Sequence, residues 1–529
     1  MLTLLPILFT FLVATLVFGL HWSEQGRRYA WLVSVGGMLL AWGGVLALRW
    51  LEPAPLVFTH WRPFDPSNAD PVIFRWDSTG WVYAFGAVSL GLAVILTAPA
   101  RFKYNSTPLS WAAVMIFTSV GLLAILSGSP VAMAVSWMIL DTLEMMYVML
   151  VIRDEQYRRE ALASFSLRVF GIFLLVAAIV LANQRLVNLT FENITSGELW
   201  LLIAAVTLRL GIFPINLNYE QQLPLQHGLT SLMRIVGQVT ALALLVKLPA
   251  GMGLPDSQSA LVMVAALIGI YSALMWLIAA SEISGRAFLG LTFSCMAIIS
   301  AGIGNSGLSS IWGIAILSWG GMLFLFSIRS RRLLILPLAG VISISGLPFT
   351  PLASGWAVAS SSFSWILYLV IVRVILIAGY IRHALREGES SHTLEPYART
   401  TYAIGLFILV ASGWLAVALG IPGGLTLGFW WSGLLTLALC ALAFRLIWQG
   451  KGEQSLSRSA IWLSQWFQSL SGVITSLLSL NWLYRILRTI FHVVQRVLGF
   501  FSTLFEGEGG VLWSILLLAL LISLIGGAQ

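Results

Sequence analysis

The stretch Leu201-Leu-Ile-Ala-Ala-Val-Thr-Leu-Arg-Leu-Gly-Ile-Phe213 places one fixed positive charge, Arg209, inside an otherwise apolar segment. An ionisable group at membrane depth costs roughly 3 kcal/mol or more, and it is retained where it faces a partner or a water-filled path. Arg209 therefore predicts a buried acidic partner and marks a candidate functional site.

The rest of the chain has the composition of a membrane protein. Of its 529 residues, 59% are hydrophobic and only 9% are charged, whereas a soluble globular domain has roughly 25% charged residues. Apolar segments of about 20 residues, each long enough to cross a hydrocarbon core of roughly 30 Å, recur along the chain. They lie at 1–20, 30–48, 79–98, 109–127, 131–152, 166–184, 197–216, 228–249, 258–280, 287–305, 307–327, 333–351, 357–380, 401–420, 425–448 and 511–527. We expect an all-α polytopic membrane protein with about sixteen transmembrane helices.

Most of the basic residues lie in the loops between the apolar segments. The net charge of +8 comes from Arg-rich loops rather than from a basic face, which argues against nucleic-acid binding. No basic residue precedes the first span, and Arg27 and Arg28 follow it, so the N-terminus is expected outside. Every second loop is Arg-rich, and an even number of spans returns the C-terminus to the outside. We expect an integral multi-pass protein of a bacterial inner membrane.

Catalytic chemistry has no motif in this sequence. Cys295 and Cys440 are isolated in apolar segments, and the six histidines fall in loops, at segment edges or in a polar stripe. No phosphate-binding loop and no dinucleotide fingerprint opens a helix. We expect no cofactor, no metal site and no catalytic residue on this chain.

Two carboxylates are candidate partners for Arg209. In Trp137-Met-Ile-Leu-Asp-Thr-Leu-Glu-Met-Met-Tyr147, Asp141 and Glu144 are three residues apart and share one helix face. Arg373 also lies about midway in an apolar segment and requires a partner. Arg234 and Lys247 lie near span ends, where snorkelling to the interface is the alternative to a role in the bundle.

The segment from Ile461 to Phe505 has the pattern of an amphipathic helix. Polar residues recur there at steps of three, four and occasionally more: Ser464, Gln468, Ser471, Thr475, Asn481, Arg485, Arg488, His492 and Arg496. This periodicity predicts an amphipathic helix over 456–505, followed by a final transmembrane helix over 511–529. The helix is either a surface helix in the lipid headgroups or a strap along neighbouring helices or another subunit.

Several motifs together resemble one family. Arg209-Leu-Gly-Ile-Phe-Pro-Ile-Asn216 leads into Leu223-Pro-Leu-Gln-His-Gly-Leu-Thr-Ser231, and Ser345-Gly-Leu-Pro-Phe-Thr-Pro-Leu-Ala-Ser-Gly355 follows later. The order and spacing resemble the antiporter-like membrane subunits of respiratory complex I, membrane-bound hydrogenases and multisubunit cation/proton antiporters. In that family a mid-membrane Lys precedes Phe-Pro-Phe-His, and a Gly-Leu-Pro turn comes later. The lateral helix resembles that of the longest members.

The resemblance implies an architecture and a role. It implies two inverted five-helix repeats, at 106–250 and 257–380, between N-terminal helices at 1–105 and C-terminal helices at 401–449. Pro214 and Pro348 would mark interrupted helices, although both are also consistent with simple span ends. The implied function is proton or sodium translocation in a larger complex with other membrane subunits. The implied ion path is Asp141, Glu144, Arg209, Arg234 and Arg373, with Glu220 and His227 as a candidate proton entrance or as solvated loop residues.

The sequence also departs from the family. The mid-membrane Lys is replaced by Arg209, which stays protonated where a buried Lys can release its proton. The predicted charge path is therefore partly degenerate, and a static salt bridge between Arg209 and a carboxylate is an alternative. Two further hypotheses stay open: a purely structural membrane subunit that has lost translocation, and an independent secondary transporter for a small anion.

Overall fold

The structure is a computed structural model, and it describes most of the chain up to residue 449. The described ranges are 2–51, 53–58, 72–104, 107–152, 155–185, 189–212, 227–248, 255–303, 306–357, 363–386, 388–390, 394–428 and 430–449, with isolated positions from 485 to 518.

Helices account for almost all regular structure in these ranges. They are α1 Leu5–Leu20, α2 Glu24–Leu51, α3 Ser78–Thr97, α4 Pro108–Ile125, α5 Pro130–Val151, α6 Glu155–Gln184, α7 Ser196–Leu210, α8 His227–Lys247, α9 Pro255–Ile278, α10 Glu282–Gly302, α11 Ser306–Ala315, α12 Gly321–Leu325, α13 Ile335–Ile344, α14 Ala353–Ala357, α15 Phe363–Ala384, α16 Pro396–Gly420 and α17 Trp430–Gln449. A π-helical turn, Ile316–Gly320, joins α11 to α12.

Short polar side chains start many of the helices. Asp77, Thr107, Ser129, Thr195 and Ser281 precede α3, α4, α5, α7 and α10 with extended backbone conformations. Thr107, Thr195 and Ser281 also form reciprocal capping boxes. The first amide groups of a helix have no partner within it, so a side-chain oxygen at this position satisfies one of them. These residues therefore fix where each apolar segment becomes helical.

The prediction of an all-helical polytopic membrane protein is confirmed. Within the described residues, twelve helices are long and apolar enough to cross a membrane. These twelve correspond to twelve of the sixteen predicted spans. Three more predicted spans, 197–216, 333–351 and 425–448, correspond to the shorter or partly apolar helices α7, α13 and α17. Of the sixteenth, 511–527, the structure describes only Ile515 and Leu518, so the count of sixteen and the two repeats stay predictions.

Two predicted spans end earlier than the sequence pattern indicated. Helix α7 ends at Leu210 rather than near residue 216, because Gly211 adopts a left-handed conformation with φ of 70°. Helix α13 ends at Ile344 rather than near residue 351, where Gly346 has φ of 72°. Glycine takes this conformation without the steric cost that other residues incur, so it ends a helix that apolar composition alone would continue.

The interior of the bundle is formed by α3, α8, α10 and the run from α11 to α12. These spans are 83–94% buried, whereas the spans of α1, α5, α6 and α9 are 39% buried and present apolar side chains outward. Small residues allow the inner helices to approach closely. A Cβ atom at Gly313 would lie 2.1 Å from the Tyr83 ring, and one at Gly86 would lie 2.8 Å from Leu317.

Two short β-pairs add to the helices. Strand β1, Leu56–Phe58, pairs antiparallel with β2, Val72–Phe74, and strand β3, Ile328–Arg329, pairs parallel with β4, Glu389–Ser390. Both pairs lie between helices and leave the fold class unchanged.

The chain divides into two compact units, Met1–Ser464 and Gln465–Gln529. In the second unit the structure describes isolated positions, and Arg485, Arg488, His492 and Arg496 are helical and exposed there. The rest of the predicted amphipathic helix at 456–505 and of the final span at 511–529 lies outside the described residues. Both elements stay predictions.

Candidate functional site

Arg209 has the buried acidic partner that its position requires. Its Nη1 donates to Oδ2 of Asp141 at 2.6 Å, and both side chains are 1% exposed. Trp137, one turn before Asp141 on α5, stacks its ring under the guanidinium group, whose carbon lies 4.5 Å from the ring centroid. Arg209 Nε also donates to Oγ1 of Thr240 on α8 at 3.3 Å. This geometry makes Asp141 and Arg209 a buried ion pair with a cation–π contact.

The second carboxylate is held by two other arginines. Arg168 Nη1 on α6 donates to Oε2 of Glu144 at 2.5 Å, and Arg234 Nη1 on α8 lies 3.6 Å from Oε1. Arg168 Nε also lies 3.7 Å from Oδ1 of Asp141, which joins the two pairs. We call Asp141, Glu144, Arg168, Arg209 and Arg234 the charge cluster.

Four helices, α5, α6, α7 and α8, contribute the side chains of the charge cluster. Helix α5 presents both carboxylates on one face, because residues three apart lie above one another on a helix. Arg209 lies in the last turn of α7, just before the left-handed Gly211. A cation is favoured at this end of a helix, where the last carbonyl groups have no helical partner.

Two atoms of the Asp141–Arg209 pair have no hydrogen bond within the described structure. They are Arg209 Nη2, a donor, and Asp141 Oδ1, an acceptor, and both are buried. Buried polar atoms are nearly always hydrogen-bonded, to protein or to ordered solvent. The charge cluster therefore has hydrogen-bonding capacity that the described protein atoms leave unused.

A cavity opens on the arginine side of the charge cluster, between α6, α7 and α8. It contains about 520 Å³ of empty space, part of which is open to solvent. Its described lining is Ser164, Arg168, Leu208, Arg209, Leu210, Gly211, Met233, Arg234, Gly237 and Gln238. We call it the arginine cavity, since three arginine residues belong to its described lining and no carboxylate residue does.

A second cavity lies next to it, toward α10. It contains about 260 Å³ of empty space and shares Arg234 and Gln238 with the arginine cavity. Arg286 on α10 also lines it and donates from Nη1 to Oγ of Ser231 at 2.9 Å. Gly290 makes room for the amide of Gln238, because a Cβ atom there would lie 2.4 Å from Oε1. The π-helical turn borders the same cavity through Ile316 and Gly320.

Arg373 lies at a second buried site, in the middle of α15. It is 1% exposed, and its Nη1 and Nη2 donate to the carbonyl oxygen of Ser345 at 3.1 Å and to Oγ of Ser432 at 2.8 Å. Its guanidinium carbon lies 4.9 Å from the ring centroid of Trp356. All these partners are neutral, and no described carboxylate forms an ion pair with Arg373. Arg373 and the charge cluster therefore form separate sites.

Two partners of Arg373, Ser345 and Trp356, lie on either side of a non-helical break between α13 and α14. Pro348 lies in the non-helical turn between these helices, which also contains Gly346 and Phe349, with φ of 72° and 58°. A Cβ atom at Gly346 would lie 2.5 Å from Arg373 Nη1. One at Gly433 on α17 would lie 2.7 Å from the Gly346 carbonyl oxygen. The break is thus packed tightly against both α15 and α17.

The predicted site residues divide into three groups. The structure brings Asp141, Glu144, Arg209 and Arg234 together and places Arg373 apart from them. Arg234 faces Glu144 inside the bundle, and Lys247 donates from Nζ to the carbonyl oxygens of Ile125 and Ser127, both at 2.6 Å. The remaining residues are not placed: Pro214, Glu220 and the side chain of His227 lie outside the described residues.

Sequence reasoning missed Arg168. It lies within the predicted span 166–184 and contacts both carboxylates, so the argument that selected Arg209 applies to it equally. Gln238 and Arg286 give a weaker signal. An amide costs less to bury than a charge, and Arg286 falls between the predicted spans 258–280 and 287–305.

The cluster offers one kind of chemistry. Guanidinium groups stay protonated at accessible pH, so Asp141 and Glu144 are its members that can gain or lose a proton. Across the described chain, no three His, Cys, Asp or Glu side chains lie together as a metal-binding group. The geometry is that of a buried ion-pair network.

Comparisons by sequence identify no relative: no protein-family model and no curated protein matches the chain. Solved structures do match. One is a chain of the membrane-bound sulfane sulfur reductase, an archaeal respiratory membrane complex, with TM-score 0.65, 15% identity, and coverage of 98% of this chain and 99% of that chain.

Two further structures have the same fold. A chain of the Mrp complex from Dietzia sp. matches with TM-score 0.64 and 14% identity, over 95% of this chain and 63% of that chain. A chain of respiratory complex I from Thermus thermophilus matches with TM-score 0.57 and 16% identity, over 78% of this chain and 97% of that chain. The predicted resemblance to antiporter-like membrane subunits is confirmed at the level of the fold.

Proposed function

We propose that this chain, which has the fold of antiporter-like membrane subunits, takes part in proton or sodium translocation as one subunit of a larger membrane complex. One observation carries the proposal: Asp141 and Arg209 form a buried ion pair, 2.6 Å between Oδ2 and Nη1, inside that fold. A buried ion pair is often no more stabilising than apolar residues of the same volume. A switching role would account for its presence.

The switch would act through the carboxylates. Protonation of Asp141 would remove its attraction for Arg209, and the released guanidinium would then be free to reorient toward the arginine cavity. Glu144 would couple the event to Arg168 and Arg234, its two neighbours in the charge cluster. The second cavity, which begins at Arg234 and Gln238, would extend the path toward α10. Arg373 would be the distal end of such a path.

The proposed path is partly degenerate. Every basic group in it is an arginine, and an arginine offers charge without proton release. Among the described residues Arg373 has neutral partners and no ion pair that could switch. Proton transfer would therefore depend on the two carboxylates and on water in the cavities.

A second candidate function is a purely structural subunit. It is favoured by the pairing of both carboxylates with guanidinium groups, which is the arrangement of a static buried salt bridge. In that case the charge cluster would join α5, α6, α7 and α8 without moving an ion. Both functions require the chain to assemble into its complex, but only the first requires ion transport.

Single neutralisations within the complex, purified from its native membrane and reconstituted in vesicles, would separate the two functions. We expect Asp141→Asn and Glu144→Gln to lower coupled proton or sodium flux at least tenfold while the complex still assembles. Glu198→Gln is the matched control, because Glu198 is also fully buried and paired with an arginine, Arg185, but lies outside the charge cluster. Unchanged flux in both cluster variants would leave the structural function.

We also propose the arrangement that the resemblance implies. The two inverted repeats would be 106–250 and 257–380, and both termini would lie outside a bacterial inner membrane. Other membrane subunits would contact the exposed apolar helices and the lateral helix at 456–505. Labelling of single cysteines introduced before Leu5 and in the loop after Thr97 would test the orientation, since the two positions should react from opposite sides.

A further inference from the structure

The arginine cavity has an unusual electrostatic lining. Arg168, Arg209 and Arg234 all line it, whereas Asp141 and Glu144, with which they form ion pairs, do not belong to its described lining. The remaining polar lining consists of Ser164 and Gln238, whose hydroxyl and amide groups can donate hydrogen bonds. The described wall therefore presents positive charge and hydrogen-bond donors to whatever occupies the cavity.

Arg209, which belongs to this lining, has one unused donor. Arg209 donates from Nη1 to Asp141 and from Nε to Thr240, while its buried Nη2 has no hydrogen-bond partner among the described atoms. An unsatisfied buried guanidinium donor costs more than an unsatisfied neutral group, since its charge is also desolvated. A ligand that accepts a hydrogen bond and carries negative charge would remove both costs.

We propose that the arginine cavity binds one small monovalent anion, of which chloride is the simplest example. Guanidinium groups that converge on one space are a common means of binding anions in proteins. The anion would lie between α6, α7 and α8 beside Arg209, whose unused Nη2 donor would turn toward it. This binding site does not depend on translocation, because it would persist in a chain that moves no protons. A negative result in the transport experiment would therefore not be a negative result for anion binding, and the reverse also holds.

Binding of radiolabelled chloride to the purified complex tests the proposal, with gluconate keeping the ionic strength constant. Gly237 provides the variant, because it lines the cavity and no described atom lies within 4 Å of a Cβ atom built there. Gly237→Asp would add a carboxylate to the lining of the cavity. Gly237→Asn is the matched control, since it has the same size without the charge.

We expect saturable binding of one chloride per chain. Gly237→Asp should weaken it at least tenfold, because like charges a few ångströms apart repel strongly in a protein interior. Gly237→Asn should stay within about threefold of the original affinity, since its amide adds no charge. If Gly237→Asp does not assemble, Ser164→Asp and Ser164→Asn form an equivalent pair, because Ser164 lines the same cavity.

Three results would overturn the proposal. The first is the absence of saturable chloride binding. The second is equal binding by the Asp and Asn variants, which would assign the bound chloride to other surfaces of the complex. The third is binding that appears only after Glu220→Gln, which would show that a carboxylate of the chain itself already neutralises the site.

Discussion

Arg209 and Arg373 are two buried arginines that this protein accommodates in different ways. Each guanidinium stacks on a tryptophan, Trp137 or Trp356, at 4.5 and 4.9 Å from the ring centroid. Arg209 has a carboxylate at 2.6 Å, whereas Arg373 has a carbonyl oxygen at 3.1 Å and a hydroxyl at 2.8 Å. The difference teaches that a buried positive charge can be held by an opposite charge or by dipoles, and a proton can switch only the first arrangement.

The neutral arrangement has a physical basis in the helix break. The carbonyl of Ser345 lies at the end of α13, where the last carbonyl groups of a helix have no helical partner and concentrate partial negative charge. Arg373 satisfies one of these carbonyls directly. A helix that ends inside the bundle thus supplies part of the compensation that Asp141 supplies for Arg209.

The largest difference between the two sites should appear when the opposite charge is removed. Asp141→Asn leaves Arg209 buried without its nearest counter-charge, and we expect a loss of about 3–5 kcal/mol in the free energy of unfolding. Unfolding in detergent mixtures of increasing sodium dodecyl sulfate content would measure it. The double variant Asp141→Asn with Arg209→Gln should recover most of the loss, whereas an equal loss in the double variant would contradict the pairing.

Removal of the second arginine should have a smaller effect. Arg373→Met keeps the apolar volume and removes two hydrogen bonds from a charged donor, so we expect a loss of about 2 kcal/mol in the same unfolding measurement. No charge is left unpaired, because the partners are neutral. A loss as large as that of Asp141→Asn would show that Arg373 depends on a charged partner as well.

Glycine at the helix break should be required by space as well as by backbone conformation. Gly346→Ala introduces a Cβ atom 2.5 Å from Arg373 Nη1 and 2.8 Å from Trp356. Gly423→Ala is the matched control, since its φ of 67° is similar and no described atom lies within 4 Å. We expect Gly346→Ala to lower the free energy of unfolding by about 1.5 kcal/mol more than the control, because overpacking adds to the conformational strain. Equal losses would mean that Arg373 shifts freely.

The two tryptophans should give the smallest and most similar effects. Trp137→Phe weakens one cation–π contact, and we expect a loss of about 0.5 kcal/mol. Trp356→Phe should cost about 1 kcal/mol more, because Trp356 Nε1 also donates to the carbonyl oxygen of Ile344 at 2.8 Å. Thermal unfolding of the purified complex would compare the pair, and a larger loss for Trp137→Phe would contradict the expected order.

The sequence was sufficient to predict the fold and the pairing of Arg209 with a carboxylate of α5. Both follow from a large energetic cost, that of exposing long apolar segments to water and that of burying an unpaired charge. Long apolar segments have few alternatives to crossing a membrane, and a charge inside one demands an opposite charge nearby. Arg209 and its acidic partners on α5 followed from that demand. The same demand applied to Arg168, which was overlooked although it contacts both carboxylates.

Other features of the site depend on packing that no local pattern encodes. Asp141 and Glu144 share one helix face, so only the positions of α6, α7 and α8 decide which arginine pairs with which carboxylate. The arginine cavity forms where these three helices meet, and its lining comes from residues far apart in sequence. The early end of α7 at Gly211 was equally hidden, because a glycine within an apolar segment does not by itself end a helix.

The contact between Gly433 and Gly346 has a mechanical consequence. No side chain separates α17 from the break, since even one added carbon at position 433 would lie 2.7 Å from the Gly346 carbonyl oxygen. Ser432, the preceding residue, accepts a hydrogen bond from Arg373. A tilt of α17 would therefore push directly on the main chain of the break and pull on the buried guanidinium, with no compliant side chain to absorb the displacement.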